Sequence, residues 1–181
     1  GDVDKRMRCF IGIPLNSTTQ NEIYGVYPRI KDLKFTKKEN LHITVKFLGE
    51  IKEDKIEKIK EIIGESLNGV EKFAISCNRL SSFPSLTSAK VIWVNVIQGS
   101  KIIEKIYNRL EDKLEKTGIQ KENRKYIPHI TIARTRNAVD ITDYLRNFDI
   151  NSAAESIVLF KSDLKPDGPF YTKIFEHNFK G

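Results

Sequence analysis

His42-Ile43-Thr44-Val45 recurs as His129-Ile130-Thr131-Ile132, and the reading of these two tetrapeptides decides the fold. In an apolar, β-branched run, residues i and i+2 project from the same face of a strand, so each copy sets an imidazole beside a hydroxyl. The copies use two of the 3 histidines in the chain. With ten threonines among 181 residues, composition alone would place Thr two residues after two of three histidines with a probability of about 1%.

Outward from each copy the chain follows the same order. Residues 8–14 read as a buried strand, and Ser17 or Thr18 caps a helix that runs to about Arg29. The first His strand spans 41–47. Ile56, Ile59, Ile63 and Leu67 then recur at helical spacing, and Phe73, Ile75 and Cys77 alternate as a strand. The second half begins with a strand at 91–97 and a helix carrying Ile103, Ile106, Leu110 and Leu114, which Gly118 ends. The second His strand at 127–133, a short helix at 140–148 and a strand at 155–160 complete it. Both His strands are entered past a basic turn, Lys34, Lys37 and Lys38 before His42 and Lys121, Arg124 and Lys125 before His129. The expected fold is therefore α+β: two pseudo-symmetric lobes, each a mostly antiparallel sheet with outer helices, around a central cleft. One domain covers 7–181, with pseudo-repeats at about 8–80 and 90–160. The polar segment 1–6 is set aside as a tag remnant or frayed terminus.

Composition bounds the partner. The chain is 39% hydrophobic and 30% charged, with 31 Lys and Arg against 24 Asp and Glu. That balance favours an anionic partner, nucleic acid before others, although a basic solvated surface is the plain alternative. Cys9 and Cys77 lie far apart in strand-like runs and imply no disulfide framework. No apolar run approaches the length of a membrane span, so the cytoplasm is the expected compartment.

Two histidines facing one cleft can divide acid from base, because imidazole titrates near neutral pH. In-line displacement at phosphorus uses both, one group taking a proton from water and the other supplying one to the leaving oxygen. The two Thr hydroxyls can donate to the non-bridging oxygens where charge builds up. Zinc is a competitor, but neither tetrapeptide contains a Cys or carboxylate ligand. A Gly-x-Ser-x-Gly elbow and phosphate-loop signatures are absent. No metal or cofactor is expected.

The pair of His-x-Thr-x motifs in an α/β chain of this size resembles the two-histidine phosphoesterase superfamily. Within it the chain looks like the bacterial and archaeal RNA 2′,3′-cyclic phosphodiesterases, historically called 2′-5′ RNA ligases. The similarity runs through Met7-Arg8-Cys9-Phe10-Ile11-Gly12-Ile13, Asn40-Leu41-His42-Ile43-Thr44-Val45-Lys46-Phe47-Leu48-Gly49-Glu50 and Pro128-His129-Ile130-Thr131-Ile132-Ala133-Arg134. Val91-Ile92-Trp93 and Leu164-Lys165-Pro166-Asp167-Gly168-Pro169-Phe170-Tyr171 also fit. The resemblance implies hydrolysis of a 2′,3′-cyclic phosphate at an RNA 3′ end to a 2′-phosphomonoester. His42 would be the proton donor, His129 the proton acceptor, and Thr44 and Thr131 phosphate ligands; the histidine roles exchange in the ligation direction. Joining of tRNA halves by a 2′-5′ linkage and a non-catalytic RNA-end binding module are the alternatives. The implied partner is RNA with a cyclic-phosphate end, tRNA fragments included, met by a monomer.

The remaining candidates follow from position. Arg134 is placed as a phosphate contact, with a surface ion pair as its alternative. Lys46 shares strand parity with His42 and Thr44 and so would line the cleft, whereas Phe47 has core parity. Tyr126 and Tyr171 are candidate base contacts. Trp93 and His177 read as structural, and 166–169 as a tight turn at the cleft rim.

Overall fold

The computed structural model describes residues 5–181. Its elements are β1 (Arg6–Pro14), α1 (Ser17–Tyr24), β2 (Lys34–Phe35), β3 (His42–Lys52), α2 (Ile56–Ser66), β4 (Phe73–Pro84), β5 (Ala89–Val96), α3 (Ser100–Glu115), β6 (His129–Val139), β7 (Ile150–Ala154), β8 (Ser156–Lys165) and β9 (Gly168–Asn178). They form two antiparallel sheets, ordered β3-β1-β8-β9 and β2-β6-β5-β4-β7. The class is α+β, as expected.

From each His strand inward the orders correspond, β3-β1-β8 in one sheet and β6-β5-β4 in the other. The third strand of each triplet comes from the opposite half of the chain, so the sheets are not the contiguous halves 8–80 and 90–160. This exchange ties the lobes together. Cα atoms of β3 and β6 approach within 8 Å of one another.

The helical periodicity is what buries α2 and α3. Ile56, Ile59, Ile62 and Ile63 of α2, and Ile103, Ile106, Leu110 and Leu114 of α3, sink into one continuous core with the inner faces of the sheets. Among the described residues no helix is long and apolar enough to cross a membrane.

Four expectations are corrected. Asn16, not Ser17 or Thr18, caps α1, its side chain accepting from the Thr19 N–H at 2.8 Å, and the helix stops at Tyr24 rather than Arg29. The helix expected at 140–148 is a single 3₁₀ turn, Thr142–Tyr144, because the Asp140 carboxylate captures the Thr142 N–H and hydroxyl and only one turn forms. β7 follows, a strand of Ile, Asn, Ser and Ala that exists because β4 offers it an edge. At the terminus, residues 1–4 lie outside the described residues, while Arg6 pairs with Lys52 in β1 and the Lys5 carbonyl accepts from Glu53.

Candidate active site

Both His strands carry the same irregularity. The β1–β3 register slips between Ile11↔Lys46 and Gly12↔Thr44, and the β5–β6 register slips between Ile92↔Ala133 and Trp93↔Thr131. Each slip is a bulge three to four residues past the histidine, at Val45/Lys46 and Ile132/Ala133. A bulge inserts one residue and reverses side-chain parity beyond it. Consequently the fifth residue after each histidine, not the fourth, shares the cleft face with the His and the Thr.

That reversal overturns two expectations. Phe47 is 57% exposed on the cleft wall instead of in the core. Lys46 does border the cleft, but its side chain turns inward, 2% exposed, where its ammonium pairs with the Glu111 carboxylate of α3 and donates to the Gln120 carbonyl at 2.8 Å, so what is overturned is its place as a substrate contact. It is a brace between β3 and α3, with no free ammonium to offer a substrate. In β6 the corresponding position past the bulge is Arg134, which lines the cleft and meets no carboxylate within 4 Å among the described residues.

The cleft encloses about 830 Å³ and is lined by His42, Thr44, His129, Thr131, Arg134 and Tyr171, among others. The two imidazoles are held by one device. His42 Nδ1 lies 2.6 Å from the Asn40 carbonyl and His129 Nδ1 lies 2.6 Å from the Ile127 carbonyl, in each case the residue two positions back. A carbonyl can only accept, so Nδ1 carries the proton and Nε2 is left for chemistry. His42 Nε2 accepts from the Thr44 hydroxyl at 2.9 Å.

Aromatic side chains fix the ring planes. His42 packs on Phe10 at 4.9 Å and meets Tyr171 edge-on at 5.4 Å. His129 packs on Trp93 at 5.2 Å and meets Phe83 edge-on at 5.6 Å. Trp93 is buried as expected, yet it touches the site. Phe10 stands in the opening strand and Phe83 in no quoted stretch, and neither is singled out by the sequence as a site residue, since strand periodicity marks Phe10 only as core and ends before Phe83. Burial in this apolar setting pushes both histidines below their ordinary value. The carbonyl bonds oppose that shift, while His129 adds to it at His42 and Arg134 adds to it at His129.

Other candidates are placed as follows. The Tyr126 hydroxyl donates to the Thr44 carbonyl at 2.8 Å and its ring stacks on Tyr107 at 4.3 Å, so its polar end is engaged in holding β3. Tyr171 lies on the cleft wall, half-buried, within reach of the Arg134 charge. The turn at 166–169 forms the rim: Lys37 pairs with Asp167, and the Asn40 side chain donates to the Pro169 carbonyl at 3.1 Å. His177 bonds the Leu67 carbonyl at 3.1 Å, away from the cleft. Among the described residues no three His, Cys, Asp or Glu side chains converge as a metal site.

The sequence model described as the 2′-5′ RNA ligase superfamily matches residues 27–165, a span that includes both His-x-Thr-x strands. The chain belongs to the 2′-5′ RNA ligase superfamily. It is 35% identical to the RNA 2′,3′-cyclic phosphodiesterase of Methanocaldococcus jannaschii, covering 94% of this chain and 99% of that one. It is 30% identical to the protein of the same name from Thermotoga maritima, over 97% of each. Among solved structures it is similar in fold to E. coli LigT complexed with 3′-AMP, with a TM-score of 0.84 at 22% identity over 98% of this chain and 100% of that one. As a member of the 2′-5′ RNA ligase superfamily, the chain keeps the likeness over nearly its whole length.

Proposed function

We propose that this protein hydrolyses the 2′,3′-cyclic phosphate end of RNA to a 2′-phosphomonoester, without a metal ion, by paired histidine acid–base catalysis. What carries the proposal is the shared tethering of the two imidazoles, each locked at Nδ1 by a carbonyl two residues back so that Nε2 is offered to the same cleft. The names of the relatives point to the same reaction.

Water attacks phosphorus and gives its proton to His129 Nε2, while the P–O3′ bond breaks and O3′ takes a proton from His42 Nε2. Charge on the non-bridging oxygens is met by the Thr44 and Thr131 hydroxyls and by Arg134. The Thr44 hydroxyl donates to His42 Nε2. Once His42 is protonated that hydroxyl turns to phosphate. Because burial depresses both histidines, the imidazolium depends on the bound phosphodiester anion for its stability. Ligation of tRNA halves is the same displacement with a 5′-hydroxyl in place of water: that hydroxyl gives its proton to His129, the P–O3′ bond breaks with O3′ protonated by His42, and a 2′-5′ phosphodiester forms, so the histidine roles exchange only when that linkage is cleaved. The cleft is complete within one chain, so a monomer suffices, and the compartment is the cytoplasm.

His42→Ala or His129→Ala should lower hydrolysis of a cyclic-phosphate oligoribonucleotide in EDTA by about 10²–10⁴ each, with an unchanged fold. Wild-type activity in either variant refutes the pairing. Single-turnover product analysis separates an enzyme, which releases the 2′-phosphate, from a module that only binds the end.

A further inference from the structure

Beside the mouth of the cleft, residues 24–38 bring three aromatic rings and five cations to one surface strip. Phe35, 36% exposed, stands on the cleft wall. Tyr27 stacks on it with centroids 5.3 Å apart and planes 12° apart, and Tyr24 follows at 5.1 Å with its ring tilted 58° to that of Tyr27, which leaves it turned toward solvent. The Lys38 ammonium sits 5.4 Å from the centre of the Tyr24 ring.

The strip is anchored to the catalytic strand. Phe35 pairs with Ala133 of β6, the Thr36 N–H donates to the Ile132 carbonyl, and the Tyr27 hydroxyl donates to the Thr36 carbonyl. Ala133 lies four positions beyond His129, across the bulge, so at no more than about 3.3 Å per residue the ladder begins within roughly 13 Å of the histidine along the strand. Core packing accounts for Tyr27, which is packed against the core cluster. It does not account for Tyr24, which is 55% exposed.

The charge is one-sided. Arg29, Lys31, Lys34, Lys37 and Lys38 share the segment with a single acid, Asp32. Lys37 is engaged by Asp167, whereas Arg29, Lys31, Lys34 and Lys38 have no carboxylate within 4 Å among the described residues. Flat rings interleaved with unneutralised cations are the chemistry that holds a single strand, bases on the rings and phosphates on the cations. Such stacking tolerates any base.

We propose that the Phe35–Tyr27–Tyr24 ladder with Lys34 and Lys38 is a second subsite, which binds the single-stranded RNA 5′ of the cyclic-phosphate end. The inference rests on the proposed function, since that reading supplies an RNA terminus in the cleft. Phe35 meets the strand as it leaves the cleft, and Tyr24 with Lys38 takes a nucleotide further upstream.

The test compares 2′,3′-cyclic AMP with a single-stranded hexanucleotide ending in a 2′,3′-cyclic phosphate. Tyr24→Ala and Lys38→Ala, both surface changes, should raise KM for the hexanucleotide about tenfold and leave the mononucleotide unchanged. Tyr24→Phe should behave as wild type. Lys38→Ala should also reduce the slope of log KM against log salt for the hexanucleotide by about 0.7, the signature of one lost phosphate contact on a single strand. Equal effects on both substrates, or none on the hexanucleotide, overturn the subsite. If the wild-type protein hydrolyses neither substrate, the proposed function fails. Fluorescence anisotropy of a labelled hexanucleotide with a 3′-phosphate still decides the subsite: weaker binding by Tyr24→Ala supports it, and binding equal to wild type overturns it.

Discussion

Lys46→Met separates a buried brace from a substrate contact. The Lys46 side chain is 1% exposed and that of its partner Glu111 is 6% exposed. Removing the ammonium leaves a buried carboxylate with two remaining donors, the Tyr107 hydroxyl at 3.0 Å and the Glu122 N–H at 2.7 Å. Breaking one side of a buried pair costs about 3–5 kcal/mol. The two surviving hydrogen bonds place this case at the low end, about 3 kcal/mol. For a chain of this size each kcal/mol moves the midpoint by about 2–4 °C, so Tm should fall by about 10 °C. Lys46→Met/Glu111→Gln removes the orphaned charge while keeping an acceptor for both donors, and should recover most of the loss. Thermal and urea unfolding followed by circular dichroism measure all three proteins. An exposed pair is worth only about 0–1 kcal/mol. A single variant that stays within that range and instead raises KM would refute the inward placement of Lys46, and with it the bulge at Val45/Lys46.

Four further outcomes are expected. In Gly12→Ala the new Cβ would stand 3.0 Å from the Ile43 carbonyl and 3.3 Å from His42 Cδ2; displacing the ring by a few tenths of an ångström should lower kcat about tenfold with little change in KM, and unaltered kcat would show the ring has slack. Since both histidines are depressed by burial, the kcat/KM maximum should lie on the acid side of about pH 6.5, with kcat shifted to higher pH by the bound anion; a maximum well above neutrality in kcat/KM would contradict it. The same shifts make the unfolded state bind more protons, so stability should fall as pH drops from about 6.5 through the folded-state values, and the fall should be shallower in His42→Ala by urea titration. Burial pushes the Cys9 thiol up to about 11 and the Cys77 thiol up to about 12, so neither should react with a disulfide reagent at pH 8 until urea unfolds the chain; rapid labelling of the native protein would place a thiol at the surface.

Helices α2 and α3 were legible because isoleucine and leucine at helical spacing must find a core, and β3 and β6 because alternating β-branched runs cannot pack otherwise. Elements held by partners instead of by their own pattern were not legible. β7 and the two-residue β2 depend on neighbouring strand edges, and the segment at 140–148 lost its helix to one carboxylate. Lys46 and Phe47 were misplaced for a related reason: strict alternation assumes an unbroken ladder, and each His strand contains a bulge that periodicity does not mark.

The sequence by itself determined that two imidazole–hydroxyl pairs exist, each on a strand, since parity over two residues is a local property of extended backbone. It also carried the family, through motifs spread along nearly the whole chain. Only the tertiary structure decided that both pairs open on one cleft, that carbonyls two residues back fix both Nδ1 protons, and that Phe10, Tyr171, Trp93 and Phe83 set the ring planes. These depend on strands exchanged between distant halves of the chain, and a contact between residues so far apart is set by how the sheets pack, which no local pattern records.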